Sequence, residues 1–134
     1  MLKKLLLSLA FAVATMAPAV AADAPAPPQG IRRVELQRWD IPNTNYVAIN
    51  FKIEFDPGAG LPFHTHPGLE MTYITEGELT TSSQGAPDKI VKAGEFVKIE
   101  PGTVHLGANK SKAVVKGLQT YVVEKDKPLV IPAK

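Results

Sequence analysis

Proline and glycine recur at short intervals through this chain, and nothing between them is long enough or suitably spaced for a helix. Breakers at Pro42, Pro57-Gly58, Pro67-Gly68, Glu76-Gly77, Ala86-Pro87, Ala93-Gly94 and Pro101-Gly102 separate runs rich in Val, Ile, Tyr, Phe and Thr. Branched and aromatic side chains of this kind suit a pleated, half-buried surface. The pattern predicts strands over residues 31–39, 46–55, 63–66, 69–75, 78–82, 89–92, 95–99, 104–106 and 113–123. No long segment repeats apolar residues at helical spacing, so the fold class is all-β, a small barrel or sandwich. At 134 residues and 45% hydrophobic content, the chain suffices for one such core and is too short for two.

The first residues have a different character. Residues 1–22 begin with Lys3 and Lys4, run without charge from Leu5 through Ala17, and end in small residues around Ala19-Val20-Ala21-Ala22. This three-part layout is that of a cleaved secretory signal peptide, and it predicts a periplasmic or secreted protein. The apolar stretch falls short of the ~20 residues that span a bilayer, and Pro18 interrupts its end, so no stable membrane anchor is expected. Residues 23–30 (DAPAPPQG) carry little apolar bulk and are expected to form an extended tail, with the domain proper over residues 31–134.

Charge and cysteine content exclude several functions. Once Lys3 and Lys4 leave with the leader, 13 basic side chains face 13 acidic ones. A balanced surface offers no electrostatic reason to bind nucleic acid. With no cysteine, a disulfide framework, a zinc-thiolate knuckle and a thiol nucleophile are all impossible.

The three histidines are the candidate chemistry. His64 and His66 are separated by one residue, and on a strand positions i and i+2 project from one face, so both rings can converge while Thr65 points away. Glu70 follows the Pro67-Gly68 reversal and His105 follows Pro101-Gly102, so each could join the pair from another strand. Three imidazoles and a carboxylate make an N and O donor set for a divalent first-row metal. Rim histidines, or core histidines satisfied by backbone carbonyls, would show the same residues. The glycines add weight to the metal reading: the chain reads G-x5-H-x-H-x3-E-x6-G from Gly58 to Gly77 and G-x7-G-x2-H-x3-N from Gly94 to Asn109, with glycine where strands should reverse.

These two stretches resemble the paired motifs of the cupin superfamily, and the whole is similar to small single-domain, quercetinase-like bacterial cupins. The first motif matches at every fixed position. In the second, Glu100 stands at the family's usual proline position and Pro101 follows it. The motif pair covers about half of the mature domain, with sixteen residues between Gly77 and Gly94. The resemblance implies a double-stranded β-helix, or jelly-roll barrel, holding Zn, Cu, Fe, Mn or Ni on His64, His66, Glu70 and His105.

Four protein donors on a cation that accepts five or six leave room for a small-molecule ligand or substrate. The expected function is a metal-dependent enzyme on a small organic molecule, dioxygenase-like or isomerase/lyase-like, in which Glu70 serves as ligand or as general base. The alternative is a non-catalytic module that binds metal or a small ligand. Phe51, Ile53, Met71, Tyr73, Phe96 and Tyr121 are candidate cavity walls, with core packing as the plainer role, and Pro62 and Phe63 would wall the approach. Asn109 is expected to hold backbone rather than substrate. Cupin resemblance also implies a homodimer, with pairing expected through residues 31–39 and 113–123.

Overall fold

The computed structural model describes residues 26–133. The leader expected over residues 1–22 and the first part of the tail lie outside them. Ten strands follow one another: β1 (Ile31–Asp40), β2 (Tyr46–Phe55), β3 (His64–Thr65), β4 (Gly68–Glu76), β5 (Glu78–Ser83), β6 (Lys89–Lys92), β7 (Phe96–Ile99), β8 (His105–Ala108), β9 (Val115–Glu124) and β10 (Ile131–Pro132). They form two five-stranded antiparallel sheets, in the orders β1-β2-β9-β4-β7 and β10-β3-β8-β5-β6. This is the jelly-roll architecture expected, and nine of the ten strands coincide with the predicted runs to within about two residues.

Strict alternation builds the inner face of the first sheet. On β2, Val47, Ile49, Phe51, Ile53 and Phe55 are all at most 3% exposed, every second residue pointing inward. On β9 the inward row is Val115, Gly117, Gln119, Tyr121 and Val123, and on β4 it is Gly68, Glu70, Thr72 and Ile74. Leu79 and Val91 meet this face from the second sheet within one apolar cluster. Each such branched or aromatic side chain contributes about 1.5–3 kcal/mol through burial. The buried polar residues on the inward rows of β4 and β9 are Glu70, Thr72 and Gln119, and strand register brings the two rows together: Glu70 pairs with Tyr121, and Thr72 with Gln119.

Two glycines show why the chain reverses and packs where it does. Gly77 has φ +78°, and a Cβ there would lie 2.9 Å from the Val114 carbonyl. Gly68 is the first residue of β4 rather than the tip of a turn, and a Cβ there would come within 2.1 Å of the Val122 carbonyl. No side chain fits that approach of β4 to β9.

Two expectations need correction. β10 was not predicted: Ile131 and Pro132 pair with Thr65 and His64, but a two-residue strand next to prolines gives no periodic signal. The run from Ala113 to Val123 cannot extend a sheet toward a second molecule, because β9 lies between β2 and β4 with both edges paired. The described end of the tail is largely exposed; Ala26, Pro27 and Pro28 line one side of a cavity, and the Pro28 carbonyl accepts from the Ile31 amide at 3.1 Å.

Candidate metal centre

The four predicted donors meet between the sheets. His64 on β3 and His105 at the start of β8 are register partners in the second sheet. Glu70 comes from β4 in the facing sheet, and His66 from the two-residue connection between β3 and β4. All four are buried, at 2–6% exposure, and one donor atom from each lies within 4.8 Å of all the others. A site assembled from both sheets and a connection is held by the whole barrel rather than by one hairpin.

Backbone carbonyls orient the rings. His64 Nδ1 lies 2.8 Å from the Pro62 carbonyl, His66 Nδ1 2.5 Å from Leu129 and His105 Nδ1 2.9 Å from Thr103. A carbonyl only accepts, so each Nδ1 carries the proton and each Nε2 turns inward. Side chains fix the carboxylate in the same way. Gln119 Nε2 donates to Glu70 Oε1 at 2.8 Å and Thr72 Oγ1 donates to the same oxygen at 3.0 Å, leaving Oε2 toward the rings. Sequence reasoning missed this supporting set. Pro62, Thr103 and Leu129 act through backbone atoms that no residue type signals, and Gln119 reaches Glu70 only through strand register; Thr72, two residues along the same face of β4, follows the same i, i+2 rule that brings His64 and His66 together.

Charge in the cluster follows from burial and proximity. Burial pushes His64 down to about 4, so its ring is neutral near pH 7. Burial alone would raise Glu70, but the contacts of His105 and His66 outweigh it and hold the carboxyl far below the usual range. Burial would lower His105, yet its hydrogen bond to Glu70 Oε2 at 3.2 Å and the Thr103 carbonyl carry it above its ordinary value. Tyr121 stays protonated, pushed well up by burial and by the Glu70 charge.

The donor set fits a cation. His66 Nε2 lies 2.9 Å from Glu70 Oε2 but off the line of a hydrogen bond, so a buried ring nitrogen is left without a partner. Two lone-pair atoms at that distance repel unless a positive charge sits between them. Bond lengths of about 2.0–2.2 Å around one centre allow donors up to about 4.4 Å apart, so the 4.8 Å spread of the four donors has to close by a few tenths of an ångström around a cation. His64, His66, Glu70 and His105 therefore form a cluster able to bind a divalent metal.

The cupin domain family matches this chain over residues 51–131, a stretch that contains all four donors and most strands of both sheets. The chain is a member of the cupin family. It is 31% identical over 94 residues to oxalate oxidase 2 of Hordeum vulgare, covering 63% of this chain and 42% of that protein. Germin-like protein 3-3 of Oryza sativa subsp. japonica is also 31% identical, over 104 residues, 70% of this chain and 45% of its own. The cupin thus spans less than half the length of these relatives. Among solved structures, recombinant oxalate oxidase in complex with glycolate aligns with TM-score 0.60 at 23% identity, covering 84% of this chain and 61% of that one. A cupin superfamily protein of Desulfitobacterium hafniense aligns with TM-score 0.61 at 15% identity, covering 74% and 83%. These structural likenesses concern the fold.

Two cavities flank the cupin's cluster. A space of about 20 Å³, enough for a single water, lies against Glu70, His64 and His105. A larger one of about 220 Å³ runs from His64 to the tail. Of the predicted wall residues, Ile53, Tyr121 and Pro62 line the larger cavity. Phe51 is packed behind Tyr121, with ring centroids 6.0 Å apart. The other candidates face outward: Met71 and Tyr73 are on the outer side of β4, Phe96 is 64% exposed and Phe63 is 40% exposed. Asn109 does hold backbone, donating to the Phe55 and Ala113 carbonyls at 3.0 and 2.7 Å. Glu100 is a surface residue paired with Lys98, and the proline shift leaves His105 in place.

Proposed function

We propose that this cupin is a metal-dependent enzyme acting on a small organic molecule, by dioxygenase-like or isomerase/lyase-like chemistry. The observation that carries the reading is the pairing of an inward-facing N and O donor set with a cavity of about 220 Å³ that ends on one of its ligands, His64. A purely structural site would be closed on every side. His64, His66 and His105 would hold the cation through Nε2 and Glu70 through Oε2. When bound, a divalent first-row metal supplies Lewis acidity and one or two positions for a guest. Similarity to proteins named oxalate oxidase supports the oxidative form.

Glu70 is best assigned as a ligand. Oε1 already accepts from Gln119 and Thr72, and the group is held ionised far below the usual range. Service as a general base would require Oε2 to leave the cluster and take a proton it holds weakly. Tyr121 and Ile53 exclude water from the cavity floor. The deciding experiment measures oxygen consumption and substrate loss with phenolic and enolic compounds, for the native protein and for Glu70→Gln. Turnover by the native protein that falls at least about 100-fold in the variant supports the reading. Tight ligand binding with no turnover under any metal favours the non-catalytic module.

We further propose export behind residues 1–22 and a periplasmic or secreted location, supported by the leader pattern. Folding outside the cytoplasm leaves metal choice to intrinsic affinity, which favours zinc or copper. Elemental analysis of exported and cytoplasmically expressed protein tests this, and equal iron content from both would overturn it. A homodimer through the β1 edge is also proposed, since Trp39 is 46% exposed and Val34 57%. Light scattering checks it.

A further inference from the structure

The larger cavity has a chemical polarity of its own. Its deep end is His64 and the buried pair Ile53 and Tyr121, while the exposed Pro28 and Pro132 lie at its outer end. Arg33, half-buried, is the only lysine or arginine among the lining residues. Arg33 points inward because it alternates with Ile31 on β1, ahead of the bulge between Glu35 and Gln37. Its guanidinium lies 5.0 Å from the centroid of the Phe51 ring. Phe51 packs edge-on against Tyr121, and Tyr121 meets the His66 ring at a centroid distance of 4.8 Å. A row of rings therefore joins the cationic end of the cavity to the donor cluster.

A cation facing an apolar cavity selects for a guest that brings the opposite charge and apolar surface together. Arg suits a carboxylate better than a point anion, because its planar fork matches two oxygens and ring contact fixes its plane. Five N–H donors let the same guanidinium serve a guest beside any other partner. A two-carbon diacid would leave the apolar wall uncovered.

We infer that the cavity takes a small monocarboxylate with an apolar body, its carboxylate on Arg33 and its far end toward His64. The metal-facing half of this statement rests on the function proposed above; the Arg33 half does not. Benzoate is the probe, with benzamide as its uncharged counterpart and oxalate as the two-carbon diacid, titrated calorimetrically into the metal-free and zinc-loaded full chain. Benzoate should bind both forms, at least tenfold tighter than benzamide and than oxalate in the metal-free form. Arg33→Gln should cost benzoate at least tenfold and leave benzamide unchanged, and Arg33→Lys should fall between. The inference is overturned if Arg33→Gln, melting as the parent does, binds benzoate equally well. It is equally overturned if benzamide matches benzoate, if benzoate binds neither form, or if its binding to the zinc form ignores Arg33. Zinc uptake, measured alongside, reports on the proposed metal site by itself, so failure there would leave the metal-free result to decide the carboxylate assignment.

Discussion

The two cavities beside the donor cluster share His64, Gln119, Leu61, Ile53 and Phe55 as walls, yet one holds about 20 Å³ and the other about 220 Å³. On the tight side stand Glu70, Thr72, Thr81 and His105, and the hydrogen bonds that orient the carboxylate lie there. On the roomy side stand the tail prolines, Val130 and Arg33. The barrel fixes donor geometry on one flank of the cluster and leaves open space on the other. Among the shared walls, Gln119 is the one that donates to Glu70.

The largest effect should come from the cluster itself. His64→Ala or His66→Ala should empty the site, and His105→Ala should weaken it; metal content by elemental analysis checks this, and full occupancy in His64→Ala would remove the basis of the comparison. Next, truncation should hurt the tight flank far more than the roomy one. Ile99→Ala, at a core residue 6% exposed, should cost about 2–5 kcal/mol in urea denaturation. Val130→Ala, beside existing space, should cost under about 1 kcal/mol, and equal losses would erase the distinction between the flanks. Gln119→Leu removes a buried donor from Oε1 and should cost about 1–3 kcal/mol, while zinc affinity by competition titration falls roughly 10–100-fold.

The smallest expected effect is on pH dependence in the metal-free protein. Unfolded His64 takes up a proton near pH 6.5, but the folded, buried ring does so only at about 4. Stability therefore falls as pH drops through that window. His105 has the opposite sign: its folded value is raised, so its contribution is complete below pH 6.5 and fades as pH rises through the folded value. Glu70, held low, contributes above the ordinary carboxylate range and is lost only in stronger acid. Melting curves from pH 4 to 8 should show a decline of a few degrees below pH 6.5 that His64→Gln flattens.

Much of the fold was legible because its signals are local. Alternation over 46–55 and 113–123 and Gly-Pro punctuation mark strands without reference to partners, and His64-x-His66 states a shared face by spacing alone. The short β10 escaped because it exists only as a partner of β3, and the central place of β9 escaped because strand order is not written in any one strand. Met71 and Tyr73 look as suited to a cavity as Ile53 and Tyr121, and only the face of the sheet each occupies separates them.

Residue types and their intervals thus decided by themselves that this chain makes short strands and carries four donors suited to a metal, since both depend on covalent neighbours and a period of two. Tertiary structure alone decided that the Leu129 carbonyl turns the His66 ring, that Gln119 aims Glu70, and that Arg33 overlooks the cavity. Those contacts join residues far apart in the chain. Their existence depends on sheet order, register and the packing of one sheet on the other, and none of these is a property of any segment taken singly.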